Sequence, residues 1–245
     1  MIVNLQTDGW EIIYHRAHAL LAAQIAGYWD ICKNSSRLYE TIAAISHHDD
    51  LEKEWEGNQL TAAGAPLDFT LERNDSLSRL RRHADEALYR GRWVAMLISM
   101  HSCFLNQSKR DENPEIAEFI DEQQQRQRQW RDELNITKDE ALAAYDFMRW
   151  CDRLSLILCQ RQVPTGGRKL EIITDYEGLS YTLFRSSPGD LTVKPWPFAT
   201  ESFSISVDAC DLSQLQFESN DQLSKALQNA PRKILTWQFS ATSDE

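Results

Sequence analysis

All six histidines of the chain lie between positions 15 and 101, and with them stand carboxylates of the kind that hold divalent cations. His18, His48, Asp49, His101 and Asp152 form the candidate ligand set. Imidazole nitrogens and carboxylate oxygens together suit zinc, iron, manganese or magnesium, provided they converge from separate elements on one point. The stretch "AAISHHDD", residues 43–50, is the densest part of this set. Neighbouring residues on a helix point about 100° apart, so His48 and Asp49 can both reach a cation lying between their directions. Histidines at a helix C-terminus suit its dipole, whereas the following Asp49 and Asp50 oppose it, and that mismatch points to a use beyond capping. His48 and Asp49 are taken as the catalytic pair, with the choice between His47 and His48 as ligand left open. A buried, hydrogen-bonded core histidine is the structural alternative for His18. For Asp152, between Arg149 and Arg153, the alternative is a buried Asp–Arg pair. Cys103 with His101 does not make a nucleophilic pair, because residues two apart on a helix diverge.

The elements that must position these residues are mostly helical. "HRAHALLAAQIAGYWDIC" places apolar residues at three-to-four spacing, with His18 on the inward face, while His15 and His83 fall at more exposed positions. "LYETIAAISHHDD" predicts a second helix after the capping neighbourhood "KNSSR". "LSRLRRHADEALYRG" and "RWVAMLISMHSCFLN" predict two more, divided at Gly91, with His101 in the second. Asn113 and Pro114 open a long amphipathic helix, and Thr137 with Glu140 makes a capping box for a helix that carries Asp152 and ends near Cys159. Residues 1–14 suggest a short hairpin or extended arm. Beyond "RQVPTGGRK" the pattern alternates with turn signals at Glu177-Gly178 and Pro188-Gly189, and one short helix, "NDQLSKALQNA", precedes a last strand. The expected fold is therefore α+β: a mainly helical domain, residues 1–162, followed by a small antiparallel β-rich domain, residues 163–245.

Composition narrows the partners. A net charge of −11 argues against general binding to nucleic acid or anionic membrane. The five cysteines are odd in number and without a CxxC pair, which argues against a disulfide framework or zinc finger and for a reducing cytoplasm. No basic start with an apolar core and no run long enough for a membrane span is present, so a soluble, cytoplasmic protein acting on a small molecule is expected. Lys53, Arg81 and Arg82 are the basic residues nearest the cluster in sequence, and Trp55 with Glu56 could close a pocket over it.

The order of an early helical His, a His-Asp dipeptide on the next helix and a late helical Asp resembles the HD superfamily of metal-dependent phosphohydrolases. The resemblance covers roughly residues 15–160 and implies a divalent metal on His18, His48, Asp49 and Asp152, with His101 as a further ligand. It implies hydrolysis of a phosphoester in a small-molecule substrate, although an obvious glycine-lysine element after the His-Asp pair is lacking. A related arrangement in inositol-oxygenase-like proteins holds two irons, which gives an oxygen-using enzyme as the alternative, and a non-enzymatic helical interaction protein is the other. Over nearly the whole chain, "AHALLAAQIA", "HHDD" followed by "EWE", "GAPLDF", "WCDRLSLILC" and "PWPF" resemble an uncharacterised bacterial family, domain of unknown function thirty-eight ninety-one.

Overall fold

A computed structural model describes residues 1–30, 37–50, 57–71, 76–175, 178–186 and 189–242. The chain opens with a hairpin of β1 (Ile2–Gln6) and β2 (Gly9–Ile13), then forms the helices α1 (His15–Tyr28) and α2 (Leu38–His47). The helices α3 (Leu77–Ala87), α4 (Arg92–Asn106), α5 (Pro114–Leu134) and α6 (Lys138–Cys159) follow. The strands β3 (Leu170–Thr174), β4 (Ser180–Arg185), β5 (Leu191–Lys194) and β6 (Ser202–Leu212) lead to α7 (Asn220–Asn229) and β7 (Arg232–Ser240).

Local chemistry explains the helix ends. Asn113 accepts hydrogen bonds from the Glu115 and Ile116 amides, with Pro114 in the first turn of α5. At α6 the Thr137 hydroxyl accepts from the Glu140 amide at 3.1 Å while the Glu140 carboxylate accepts from the Thr137 amide at 2.7 Å. Both halves of a capping box are thus made. Replacing Thr137 with alanine should cost about 1 kcal/mol. In a chain of this size that lowers the melting temperature by about 2–4 °C, which differential scanning fluorimetry would measure.

The expected fold class is overturned by the sheet. It is a single seven-stranded mixed sheet in the order β1-β2-β6-β7-β5-β4-β3, not a small antiparallel unit confined to the end of the chain. Strands from both ends of the sequence meet in it: β2 pairs antiparallel with β6, Trp10 opposite Leu212 and Ile12 opposite Cys210. β5 pairs parallel with β7 through Leu191 and Phe239, which makes the sheet mixed. The close approach of β2 to β6 requires glycine at position 9, where φ is +142° and an added Cβ would lie 1.9 Å from the Leu212 carbonyl oxygen.

The reason is apolar burial. Phe203, Ile205, Val207 and Ala209 alternate along β6 and join one cluster with Leu21, Ile25, Met96, Leu154 and Ile157 from the helices, and with Ile2 and Ile13 from the hairpin. On another part of the sheet, Ile12, Cys210 and Leu212 meet Leu223 and Leu227 of α7. Polar pins fix the layers. Gln24 of α1 donates to the Ser206 carbonyl at 2.8 Å and accepts from the Ser206 amide at 3.1 Å, while Asn4 of β1 donates to the Cys159 carbonyl at the end of α6. The described cysteines, Cys103, Cys151, Cys159 and Cys210, are buried and form no disulfide with one another.

Candidate metal centre

Two helices, α1 and α6, stand side by side, and α2 ends against both. α2 stops at His47, so His48 and Asp49 occupy the turn just beyond it rather than the helix itself. That placement releases their side chains towards α1 and α6. His18 of α1 and Asp152 of α6 complete the set, with His101 approaching from α4.

The hydrogen bonds define which nitrogen of each ring faces the centre. His48 Nδ1 lies 2.6 Å from the Ile45 carbonyl, which can only accept, so Nδ1 carries a proton. His18 Nδ1 lies 3.0 Å from the Ser155 hydroxyl oxygen. Ser155 already donates its proton to the Asp152 carbonyl at 2.8 Å, so it accepts from His18. Both imidazoles thus turn Nε2 towards carboxylates: His18 towards Asp49 Oδ2 in a very close contact, and His48 towards Asp152 Oδ1 at 3.1 Å and Asp49 Oδ2 at 3.5 Å. In the neutral ring Nε2 is an acceptor, and a carboxylate oxygen is another. Two acceptors face each other only when a positive charge lies between them, either a proton or a cation.

Without a cation a proton settles on His48. Burial disfavours a charged His48, but Asp49 and Asp152 outweigh it and hold its pKa up at about 10. Burial likewise opposes ionisation of Asp49, yet His48 and His18 bring its carboxyl well below the usual range, and His48 also lowers that of Asp152. His101 behaves differently: burial, with positive His48 beside it, lowers its pKa to about 4, which leaves it neutral. Its ring centre is 5.1 Å from that of His48, and its Nδ1 is 3.4 Å from the Tyr145 hydroxyl.

Donor atoms within 4.8 Å of one another fall into two described groups, His18–His48–Asp152 and His48–Asp49–His101. Every residue expected as a ligand from sequence is therefore in one group or the other. The Nδ1–H donations of His18 and His48 orient both rings for Nε2 ligation, so the donor set fits a divalent cation. His47 is held elsewhere, 2.9 Å from Asp50, which also takes Arg90 at 3.2 Å and lies 3.6 Å from Arg16. The Asp–Arg alternative for Asp152 fails, because Arg149 turns to Asp146 at 2.9 Å.

Two histidines expected at exposed positions are buried. His83 reaches the His48 carbonyl with Nε2 at 3.1 Å and so supports the turn that carries His48 and Asp49. His15, one turn before His18, is 2% exposed. Its position three residues before His18 puts it on the same helix face, a signal the sequence carries. Arg81 does not attend the site, being paired with Glu122 of α5. Lys53, Trp55, Glu56 and the "EWE" match lie outside the described residues, as do "KNSS" of the expected capping stretch, Glu177 and Pro188. No described helix is long and apolar enough to cross a membrane.

Comparison with known proteins yields a family but no activity. No curated protein and no solved structure matches the chain. The model of the family described as "Protein of unknown function (DUF3891)" matches residues 1–214, from the first strand through β6. The chain, with its helical histidines and aspartates and the sheet beside them, belongs to the DUF3891 family.

Proposed function

We propose that the protein is a metal-dependent hydrolase of phosphoesters with an HD-like ligand arrangement. One observation carries this reading: two imidazoles from different elements, each with Nδ1–H already donated, aim Nε2 at Asp49 and Asp152 in a buried cluster. His18, His48, Asp49 and Asp152 would hold a divalent cation, which supplies a water of lowered pKa and neutralises charge on phosphoryl oxygens. The chain's own residues do the rest. Ser155 and the Ile45 carbonyl fix the ring tautomers, and His83 steadies the turn bearing His48 and Asp49. Neutral His101 Nδ1, beside the Tyr145 hydroxyl, can hold or release a proton at the edge of the centre.

A phosphorylated substrate is favoured by the cations at the rim. Arg16, half exposed, and Arg90 both lean on Asp50, the residue after the ligand Asp49. A phosphate group approaching there could take over these guanidinium groups from the single carboxylate.

Metal analysis of purified protein, followed by a phosphoester screen, tests the reading. Wild-type protein should carry a divalent metal and turn over at least one phosphoester, and His48→Ala should lose both. Wild-type protein without metal, or a variant with unchanged activity, overturns the proposal. Oxygen consumption by the iron-loaded protein in place of phosphoester turnover would replace hydrolysis by the di-iron alternative. Loading has a thermal signature as well. A cation at a hundred times its Kd stabilises the fold by about 2.7 kcal/mol, so the melting temperature should rise by about 5–10 °C over chelator-treated protein.

A further inference from the structure

His15 is the one histidine of the cluster whose burial has no hydrogen-bonding explanation. It is 2% exposed, and neither ring nitrogen has a hydrogen-bond partner among the described residues. Phe69 packs edge-on against the ring at 4.6 Å and His18 at 5.7 Å, so water is kept from much of its surface. Leaving a buried polar group unsatisfied costs about 1–3 kcal/mol. The neutral ring presents one lone pair and one N–H.

Its Nδ1 stands 3.9 Å from Asp49 Oδ2. That gap is too long for a hydrogen bond. It lies within the span, up to about 4.4 Å, that two donors each at roughly 2.0–2.2 Å from one cation can reach. His15 belongs to neither donor group already described, so a cation on it is distinct from the one between His18, His48 and Asp152. Asp49 Oδ2 is the atom common to both positions: it touches His18 Nε2 on one side and faces His15 on the other.

We infer that His15 and Asp49 hold an additional divalent cation, with the Asp49 carboxylate bridging it to the cation on His18, His48 and Asp152. The inference rests on the metal-centre reading above and deepens it. Two protein donors leave most positions of the additional cation open, which is how ions that share a phosphoryl oxygen with substrate are commonly held. The hydrolysis then draws on paired cations, with the site at His15 the weaker of the two.

The test counts metal ions and their coupling, independent of activity. Chelator-stripped protein is titrated with Mn²⁺ by calorimetry, bound metal is measured by elemental analysis, and the loaded protein is examined by electron paramagnetic resonance. Wild-type protein should bind at least two Mn²⁺ per chain and show an exchange-coupled spectrum. His15→Gln should bind one ion fewer, keep the tighter site and lose the coupling. His15→Asp, which restores a donor, should regain the second ion. A wild-type stoichiometry of one, or an unchanged count and spectrum in His15→Gln, overturns the inference while the metal-centre reading stands. A wild-type protein that binds no Mn²⁺ overturns both. The wild-type spectrum decides the matter even if the glutamine variant misfolds.

Discussion

Replacing Asp49 with asparagine should lower the melting temperature of the chelator-treated protein by about 6–12 °C. Asp49 stands against His18 and His48 in a place where both imidazoles are about 1% exposed. Positive His48 relies on Asp49 and Asp152 for its charge balance. Asparagine keeps the shape and can still accept a hydrogen bond, so the change removes charge and little else. Taking one partner from a buried ion pair costs about 3–5 kcal/mol, of which the lower end applies here because Asp152 stays. At about 2–4 °C per kcal/mol for a chain of this size, that gives the stated drop. Were the cluster only a neutral hydrogen-bonded core, the loss would be about 1 kcal/mol and the shift under 4 °C. Thermal melts of wild-type and Asp49→Asn protein in chelator therefore separate the two. Under the proposed function the same variant would lack a metal ligand, and its phosphoester turnover should fall by about a thousandfold, equal to about 4 kcal/mol of transition-state stabilisation. Turnover within tenfold of wild type would remove Asp49 from the chemistry.

What could be read from the sequence was what local chemistry determines. The capping box at Thr137 and Glu140 and the Asn113-Pro114 start depend on residues within four positions of each other, and both helices begin there. The convergence of His18, His48, Asp49, His101 and Asp152 was legible because inward-facing polar residues on apolar helices leave few ways to be satisfied. The burial of His15 and His83 was not. His15 is covered by Phe69 and His83 touches the turn after α2, contacts that lie outside their own helices, although the three-residue spacing of His15 to His18 does place both on one face. The sheet escaped for the same reason on a larger scale. The hairpin β1-β2 is evident in "TDG", but its partner β6 lies some two hundred residues away, and no local pattern announces that pairing. Nothing local in "GWEII" marks Glu11 for burial either, yet the structure buries it completely.

That buried glutamate yields the other large stability effect. Glu11 accepts a two-pronged hydrogen bond from Arg161, at 2.8 Å to Oε1 and 2.7 Å to Oε2, and Lys233 of β7 stands 2.8 Å from Oε2. Arg161 follows α6 with φ at +55°, and Asn4 of β1 also reaches Glu11, so one carboxylate ties the hairpin, the end of α6 and the last strand together. Burial works against its ionisation, but Arg161 and Lys233 prevail and hold the pKa down to about 2 from an ordinary 4.5. Because the folded value is the lower one, this stability is present in full above about pH 4.5 and is lost as pH falls towards 2. The shift corresponds to about 3 kcal/mol, and screening around the half-exposed Arg161 reduces it to about 2 kcal/mol. Glu11→Gln should therefore lower the melting temperature at pH 7 by about 4–8 °C. The deficit against wild type should shrink steadily between pH 4.5 and pH 2, the window in which wild type loses the same charge. A deficit that stays constant across that range would show that Glu11 acts by packing alone. Since the hairpin runs from β2 directly into α1, whose first residue is His15, the variant should also weaken metal binding at the proposed centre without altering any of its proposed ligands.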